Sequence, residues 1–280
     1  MSEFSSFRSD AWRGSVHRAW LAPLAELDSW LTGNPGSRVV DKPARQVRRV
    51  ETPQGVVFVK IIRLPSEQEQ PGKRLLGIIK WYCRPSRALA VFAITKSLLE
   101  QGIGCPEPIL AARRRSSLGW PEDVFISREV LYPTILQLLS ETDDPAGQQT
   151  ILAHAARGIA QLHTARFIHG DCIPGNICLS PEGKLIFLDN DRTCRTSPFR
   201  SHRARFKNLV QLLARLPQGS QREENIDHFL ETYRQHAGVD IAMTPAQQAQ
   251  LARQTQARLA HLAHKRALWE AKHKATGLGK

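Results

Sequence analysis

From His169 to Arg192 the chain reads HGDCIPGNICLSPEGKLIFLDNDR. Two short apolar runs, ICL and LIFL, are separated by Pro181, Glu182 and Gly183, so the stretch is expected to form two short strands joined by a tight turn. Its polar residues then fall at loop and strand ends. Taken singly, Asp171, Asn176 and Asp189 could each be a turn or cap residue, because short polar side chains satisfy nearby backbone groups at such places. Taken jointly, a His-x-Asp, an asparagine five residues later and a strand-terminal aspartate after a hairpin form a far more specific set.

Phosphoryl transfer from ATP asks for a carboxylate that orients the acceptor, oxygen ligands for magnesium and a cation on the phosphates. Asp171 is expected to accept the proton of an attacking hydroxyl, and the spacing to Asn176 matches a kinase-type catalytic loop. Asn176 and Asp189 offer the hard oxygen donors that suit Mg²⁺. Asp191, on the side of Asp189 by strand alternation, is either a second ligand or a structural acid. His169 is expected to support the loop rather than act as a base. Upstream, Lys60 in the apolar strand VFVK either snorkels to the surface or meets the α- and β-phosphates.

Outward from this stretch, GQQTILAHAARGIAQLHTA places Ile151, Leu152, Ala155, Ile159 and Leu162 at helical spacing, and TILQLLSE opens a helix before it. The segments RVVDK, ARQVRRVE and GVVFVKII, punctuated by Pro and Gly turns, read as a three-strand antiparallel meander. Two helices are expected between Lys73 and Gln101, broken at Pro85, followed by strands in IGCPEPILAAR and DVFISREVL. An amphipathic stretch from about Arg18 to Leu31 suggests that residues 1–36 form an arm or helix. Near the other end, Thr244, Pro245 and Gln247 make a capping-box start for a long basic helix through Arg258, Lys265, Arg266 and Trp269. Leu251, Leu259 and Leu262 would pack it, leaving a cationic face that is either solvated or bound to anionic lipid.

At 280 residues and 41% hydrophobic, the chain can bury one large core or two modest ones. Five cysteines without CxxC spacing read as reduced thiols rather than a disulfide or metal framework. No apolar run of spanning length and no leader-like N-terminus is seen, so the chain is expected neither to cross a membrane nor to be exported by that route. A net charge of +13 calls for an anionic partner: nucleic acid, a membrane surface or an anionic substrate. With no zinc finger or RNA-binding motif present, no nucleic acid is expected.

The segments DKPARQVRRVETPQGVVFVK, RALAVFAITKSLLEQGIGCPEPI, HGDCIPGN, FLDNDR and the helix RARFKNLVQLLARL, spread from about Asp41 to Leu216, together resemble the bacterial lipopolysaccharide kinase family. That family comprises core heptose kinases and the Kdo kinase, within the protein-kinase-like superfamily. The resemblance implies an α+β, two-lobed kinase-like fold. Its small antiparallel-sheet N-lobe would span 37–131 and its mainly helical C-lobe 132–243, with the basic helix at 244–280. It implies Asp171 as catalytic base, Asn176 and Asp189 as Mg²⁺ ligands, and Lys60 on the ATP phosphates. Residues 37–54 contain no glycine, so Lys42, Arg45 and the DKPAR backbone would stand in place of a Gly-rich loop. Glu129 and Leu131 would complete the nucleotide site as the hinge.

The implied activity is ATP- and Mg²⁺-dependent phosphorylation of a heptose or Kdo hydroxyl of the lipopolysaccharide inner core, at the cytoplasmic face of the inner membrane. Its partners would be the core acceptor and the anionic membrane surface, with the chain cytoplasmic and peripheral. One departure stands out: no acid occurs between Glu69 and Glu100, and Val91 falls where a helix glutamate would pair with the strand lysine. A pseudokinase or scaffold in envelope assembly therefore remains as an alternative, as do small-molecule and protein phosphotransferases.

Overall fold

The structure, a computed structural model, describes residues 3–42, 44–63, 79, 81, 83, 85–114, 122–238 and 244–275, with side chains left aside at 198–201, 245 and 271–275. The chain divides into two compact units, Met1–Leu131 and Tyr132–Lys280. The fold class is the expected one: an antiparallel sheet in the first unit and a mainly helical second unit.

The first unit is built on a seven-stranded sheet of order β1-β2-β6-β7-β5-β4-β3. Its strands are β1 (Phe4–Ser9), β2 (Trp12–His17), β3 (Ser37–Lys42), β4 (Arg45–Thr52), β5 (Gly55–Arg63), β6 (Pro108–Arg114) and β7 (Glu122–Arg128). The expected meander is β3-β4-β5, and the two later strands are β6 and β7. Residues 4–17, expected within an arm or helix, instead form a hairpin that extends the sheet through β2–β6 pairing. Only a single 3-10 turn (Arg18–Trp20) and the short helix α1 (Leu27–Gly33) follow it. Phe7, Trp12, Trp20, Leu24 and Leu27 of this segment are buried on the sheet, which fixes a polar-looking sequence as a strand pair by burial rather than propensity.

Both faces of the centre of the sheet are covered. Val57, Val59 and Ile61 of β5 join the core beneath α1, while Phe125 of β7 and Ala111 of β6 meet Ala88 and Phe92 of helix α2 (Arg87–Glu100) on the other face. A strand buried on both faces reads as a nearly continuous apolar run, as GVVFVKII does. The N-terminus of α2 is anchored by Ser86, which accepts from Leu89 N, and by Asp123, which accepts from Arg87 N at 2.8 Å. Asp123 is itself buried and held by the Arg113 guanidinium at 2.7 and 3.2 Å, so its charge is matched where water is excluded. The first of the two helices expected between Lys73 and Gln101 lies for the most part outside the described residues.

In the second unit, α3 (Ile135–Glu141) starts at a capping box between Thr134 and Gln137. Next, α4 (Pro145–Thr164) starts at Asp144, which accepts from Ala146 N and Gly147 N. Leu152, Ala155, Ala156, Ile159, Ala160, Leu162 and His163 form the buried stripe of α4. Each large aliphatic side chain there contributes roughly 1.5–3 kcal/mol by leaving water. Short strands β8 (Phe167–Ile168), β9 (Ile177–Leu179), β10 (Leu185–Phe187) and β11 (Cys194–Arg195) follow, then α5 (Pro198–Leu213), α6 (Arg222–His236) and α7 (Pro245–Ala275). Thr244 and Gln247 exchange the capping-box bonds at the start of α7. Among the described residues, no helix is long and apolar enough to cross a membrane.

Candidate active site

The candidate catalytic segment begins where α4 ends. Arg166 takes a left-handed conformation (φ 63°) and turns the chain into β8, which pairs with β11. His169, Gly170 and Asp171 follow directly. Gly170 is required by close approach: a Cβ there would overlap the Cβ and carbonyl of Arg192.

Four bonds link this loop to the hairpin beyond it. The His169 Nε2–H donates to the Leu188 carbonyl at 2.7 Å, which fixes the tautomer because a carbonyl only accepts. Leu188 N–H donates in turn to the Asn176 carbonyl at 2.8 Å. The Asn176 amide Nδ2 donates to the Asp171 carbonyl at 3.0 Å and to its Oδ2 at 3.2 Å. The circuit therefore holds Asp171 and Asn176 side chain to side chain and fixes Leu188, the residue before Asp189. Asn176 has its Nδ2 turned to Asp171, so its Oδ1 is the atom left to accept or to ligate a cation.

β9 and β10 pair with Phe187 opposite Ile177, and the Leu188–Asn176 bond adds one more rung. Gly183, at φ 77°, supplies the tight turn between them. Asp189 then leaves the strand path in a left-handed conformation (φ 49°, ψ 60°) and starts a 3-10 turn over Asn190–Arg192. Backbone strain of this kind is worth about 1–3 kcal/mol and persists only where surroundings impose it. Here buried Asn190 imposes it, donating to Phe187 O at 3.0 Å and accepting from Thr193 Oγ1 at 3.0 Å. The strand alternation that would have put Asp191 beside Asp189 thus stops before Asp189; both carboxylates are exposed, but on a turn.

Beneath the loop lies a buried polar network absent from the sequence reading. Asn208 of α5 clamps the His169 peptide: its Nδ2 donates to His169 O at 2.7 Å and its Oδ1 accepts from His169 N at 3.1 Å. The same Oδ1 lies 3.3 Å from His163 Nε2, and Tyr233 OH lies 2.8 Å from His163 Nδ1. Since Asn208 Oδ1 can only accept, His163 carries its proton on Nε2 and receives the Tyr233 hydroxyl at Nδ1. Burial lowers the His163 pKa from the ordinary 6.5 to about 3, so the imidazole is neutral, and burial likewise pushes the Tyr233 phenol up. His169 is also shifted down, chiefly by burial, which fits a structural rather than a proton-shuttling residue. The available signal was a polar residue at core spacing: His163 continues the Ala155, Ile159 stripe, and Asn208 precedes buried Leu209.

The remaining candidates lie in the first unit. Lys60 is 8% exposed on β5, between core residues Val59 and Ile61 and so on the opposite face of the sheet from them. It stands opposite Phe125 on β7 and Val47 on β4. Lys42 stands opposite Arg45, two residues before Val47, so Lys42, Arg45 and Lys60 share the α2 face of the sheet. Glu129 is engaged by Arg49 in a two-pronged ion pair at 2.7 and 3.0 Å, and its N–H donates to Val56 O. Leu131 is 83% exposed. Val91 is buried on α2, whose one acid, Glu100, lies at its C-terminal end.

Among the described residues no group of three or more His, Cys, Asp or Glu side chains could hold a metal ion. The Asn176 amide oxygen and the exposed Asp189 carboxylate are hard oxygen donors of the kind that suits Mg²⁺. No curated protein matches the chain. The model of the lipopolysaccharide kinase (Kdo/WaaP) family matches residues 79–233, more than half of the chain and the whole of the His169–Asn176 loop, the hairpin and the Asn208 network. The chain belongs to the lipopolysaccharide kinase (Kdo/WaaP) family.

Proposed function

We propose that the protein transfers the γ-phosphoryl group of ATP to a sugar hydroxyl, of heptose or Kdo, in the lipopolysaccharide inner core at the cytoplasmic face of the inner membrane. The observation that carries this reading is the hydrogen-bond circuit that fixes Asp171 against Asn176 and ties both to the residue preceding Asp189. Asp171 accepts the proton of the acceptor hydroxyl as its oxygen bonds to the γ-phosphorus and the bond to ADP breaks. Asn176 Oδ1 and Asp189 would hold Mg²⁺, which when bound neutralises charge on the phosphate oxygens. Lys60, with Lys42 and Arg45 on its face of the sheet, meets the phosphates, and the Glu129–Leu131 segment meets the rest of the nucleotide. Because the Glu129 carboxylate is committed to Arg49, this segment would act through its backbone.

The test is the mass spectrum of core oligosaccharide from a strain lacking the protein, complemented with wild type or Asp171→Asn. Loss of one phosphate, restored by wild type alone, supports the reading and identifies the sugar after fragmentation. A core that keeps its phosphate in all three strains counts against it. A second reading, a scaffold without catalysis, is favoured by one feature: α2 offers buried Val91 rather than a carboxylate on the face it shares with Lys60. Calorimetry with Mg-ATP separates the two, since a scaffold of this kind would not bind millimolar nucleotide.

A further inference from the structure

Helix α7 runs from Pro245 to Ala275 and packs on α5. Leu251, Thr255, Arg258, Leu262, Lys265 and Trp269 follow one another at spacings of four and three, which places them on a single face. Burial along that face decays with distance: Leu251 and Thr255 are buried, Arg258 and Leu262 half-buried, Lys265 exposed and Trp269 61% exposed. From Ala263 to Glu270 every residue is exposed, including Leu268 at 58%. The stripe that seats the helix on its unit thus continues past its seat, with cations set among its apolar members.

The composition of the continuation says what covers it. A second copy of the helix would bury Arg258 and Lys265 against their equivalents or against leucine, in either direction, without a counter-charge. Arg266, off the stripe, is matched by Glu270, and among the described residues no acid pairs with Arg258 or Lys265 on it. A tryptophan with lysine and arginine one turn away suits a phospholipid surface, where the indole rests at headgroup depth and the cations reach phosphates.

We propose that the distal face of α7, centred on Lys265 and Trp269, docks the protein onto an anionic bilayer surface. The proposal deepens the kinase reading, because a lipid-anchored acceptor must be met at a membrane, and it rests on that reading for its purpose alone. Full-length protein is expected to bind vesicles of phosphatidylethanolamine with phosphatidylglycerol far better than vesicles of phosphatidylcholine. Lys265→Glu and Trp269→Ala should each weaken that binding on the order of tenfold. Arg157→Glu, an exposed cation on α4, should leave it near wild type.

Equal binding by Trp269→Ala and wild type, equal weakening by Arg157→Glu and Lys265→Glu, or no binding to anionic vesicles would each overturn the proposal. Phosphorylation of core oligosaccharide stripped of its lipid keeps the two readings apart. Stripe variants should match the wild-type rate on that soluble acceptor, and a parallel loss there would mean general damage and defeat the docking claim. Absence of transfer by wild type itself would count against the kinase reading and leave the vesicle result to decide the stripe.

Discussion

The cation face of the first unit and the proposed catalytic loop of the second place their candidate side chains by different physics. Lys42, Arg45 and Lys60 share a face through sheet register, two rows of cross-strand pairs on β3, β4 and β5. Asp171 is placed by bonds to Asn176, and through His169 by Asn208, His163 and Tyr233, drawn from three helices. The difference follows from the task. A charge that attracts phosphate acts over several ångströms and tolerates imprecise placement, whereas a base must reach one proton within hydrogen-bond range.

The comparison can be broken first at its centre. Asp171→Asn removes the proposed proton acceptor while keeping size and an acceptor oxygen, so turnover should fall by roughly 10²- to 10⁴-fold with the melting temperature little changed. Next comes the support. Asn208→Leu strands the His169 N–H and C=O in a buried site, at about 1–3 kcal/mol for each group. Denaturant unfolding should show a loss of about 2–6 kcal/mol on that basis, and the surviving folded fraction should turn over slowly.

A third test uses pH. The folded pKa of His163 lies below its unfolded value, so the unfolded chain binds the extra proton between about 3 and 6.5. The neutral ring's contribution is therefore complete above pH 6.5 and is lost as pH falls toward 3, at up to about 1.4 kcal/mol per pH unit. In His163→Gln, urea midpoints measured from pH 7 to pH 4 should fall less steeply than in wild type; parallel slopes would show that His163 is not the group responsible. The smallest effect belongs to the cation face. Lys42→Ala removes one exposed charge, worth at most about 1 kcal/mol, so the KM for ATP should rise no more than about fivefold and less at high salt.

The same contrast explains what could be read from the sequence. The β3-β4-β5 meander, the α4 stripe and the β9-β10 hairpin were legible because their patterns are local, with apolar periods bounded by turn residues. The β1-β2 hairpin was not, because SSFRSDAWRGSVH lacks a clear alternation and becomes a strand pair by burying Phe7, Trp12 and Val16 against the sheet. Asp191 illustrates a second limit: strand alternation carried it to the side of Asp189, but the left-handed turn at Asp189 ends the strand first. The Asn208 network spans 39 to 70 residues of sequence, and no local pattern states which helix meets which loop. What the sequence does show is that His163 and Asn208 occupy positions where an apolar side chain would otherwise be placed.

The most direct measurement is transfer of labelled γ-phosphate from Mg-ATP to purified lipopolysaccharide core, comparing wild type with Asp171→Asn at matched folded concentration. The expected result is label on a core sugar with wild type, and a rate lower by at least about a hundredfold with the variant. Transfer by Asp171→Asn at the wild-type rate would contradict the assignment of Asp171 as the base on which the whole reading turns.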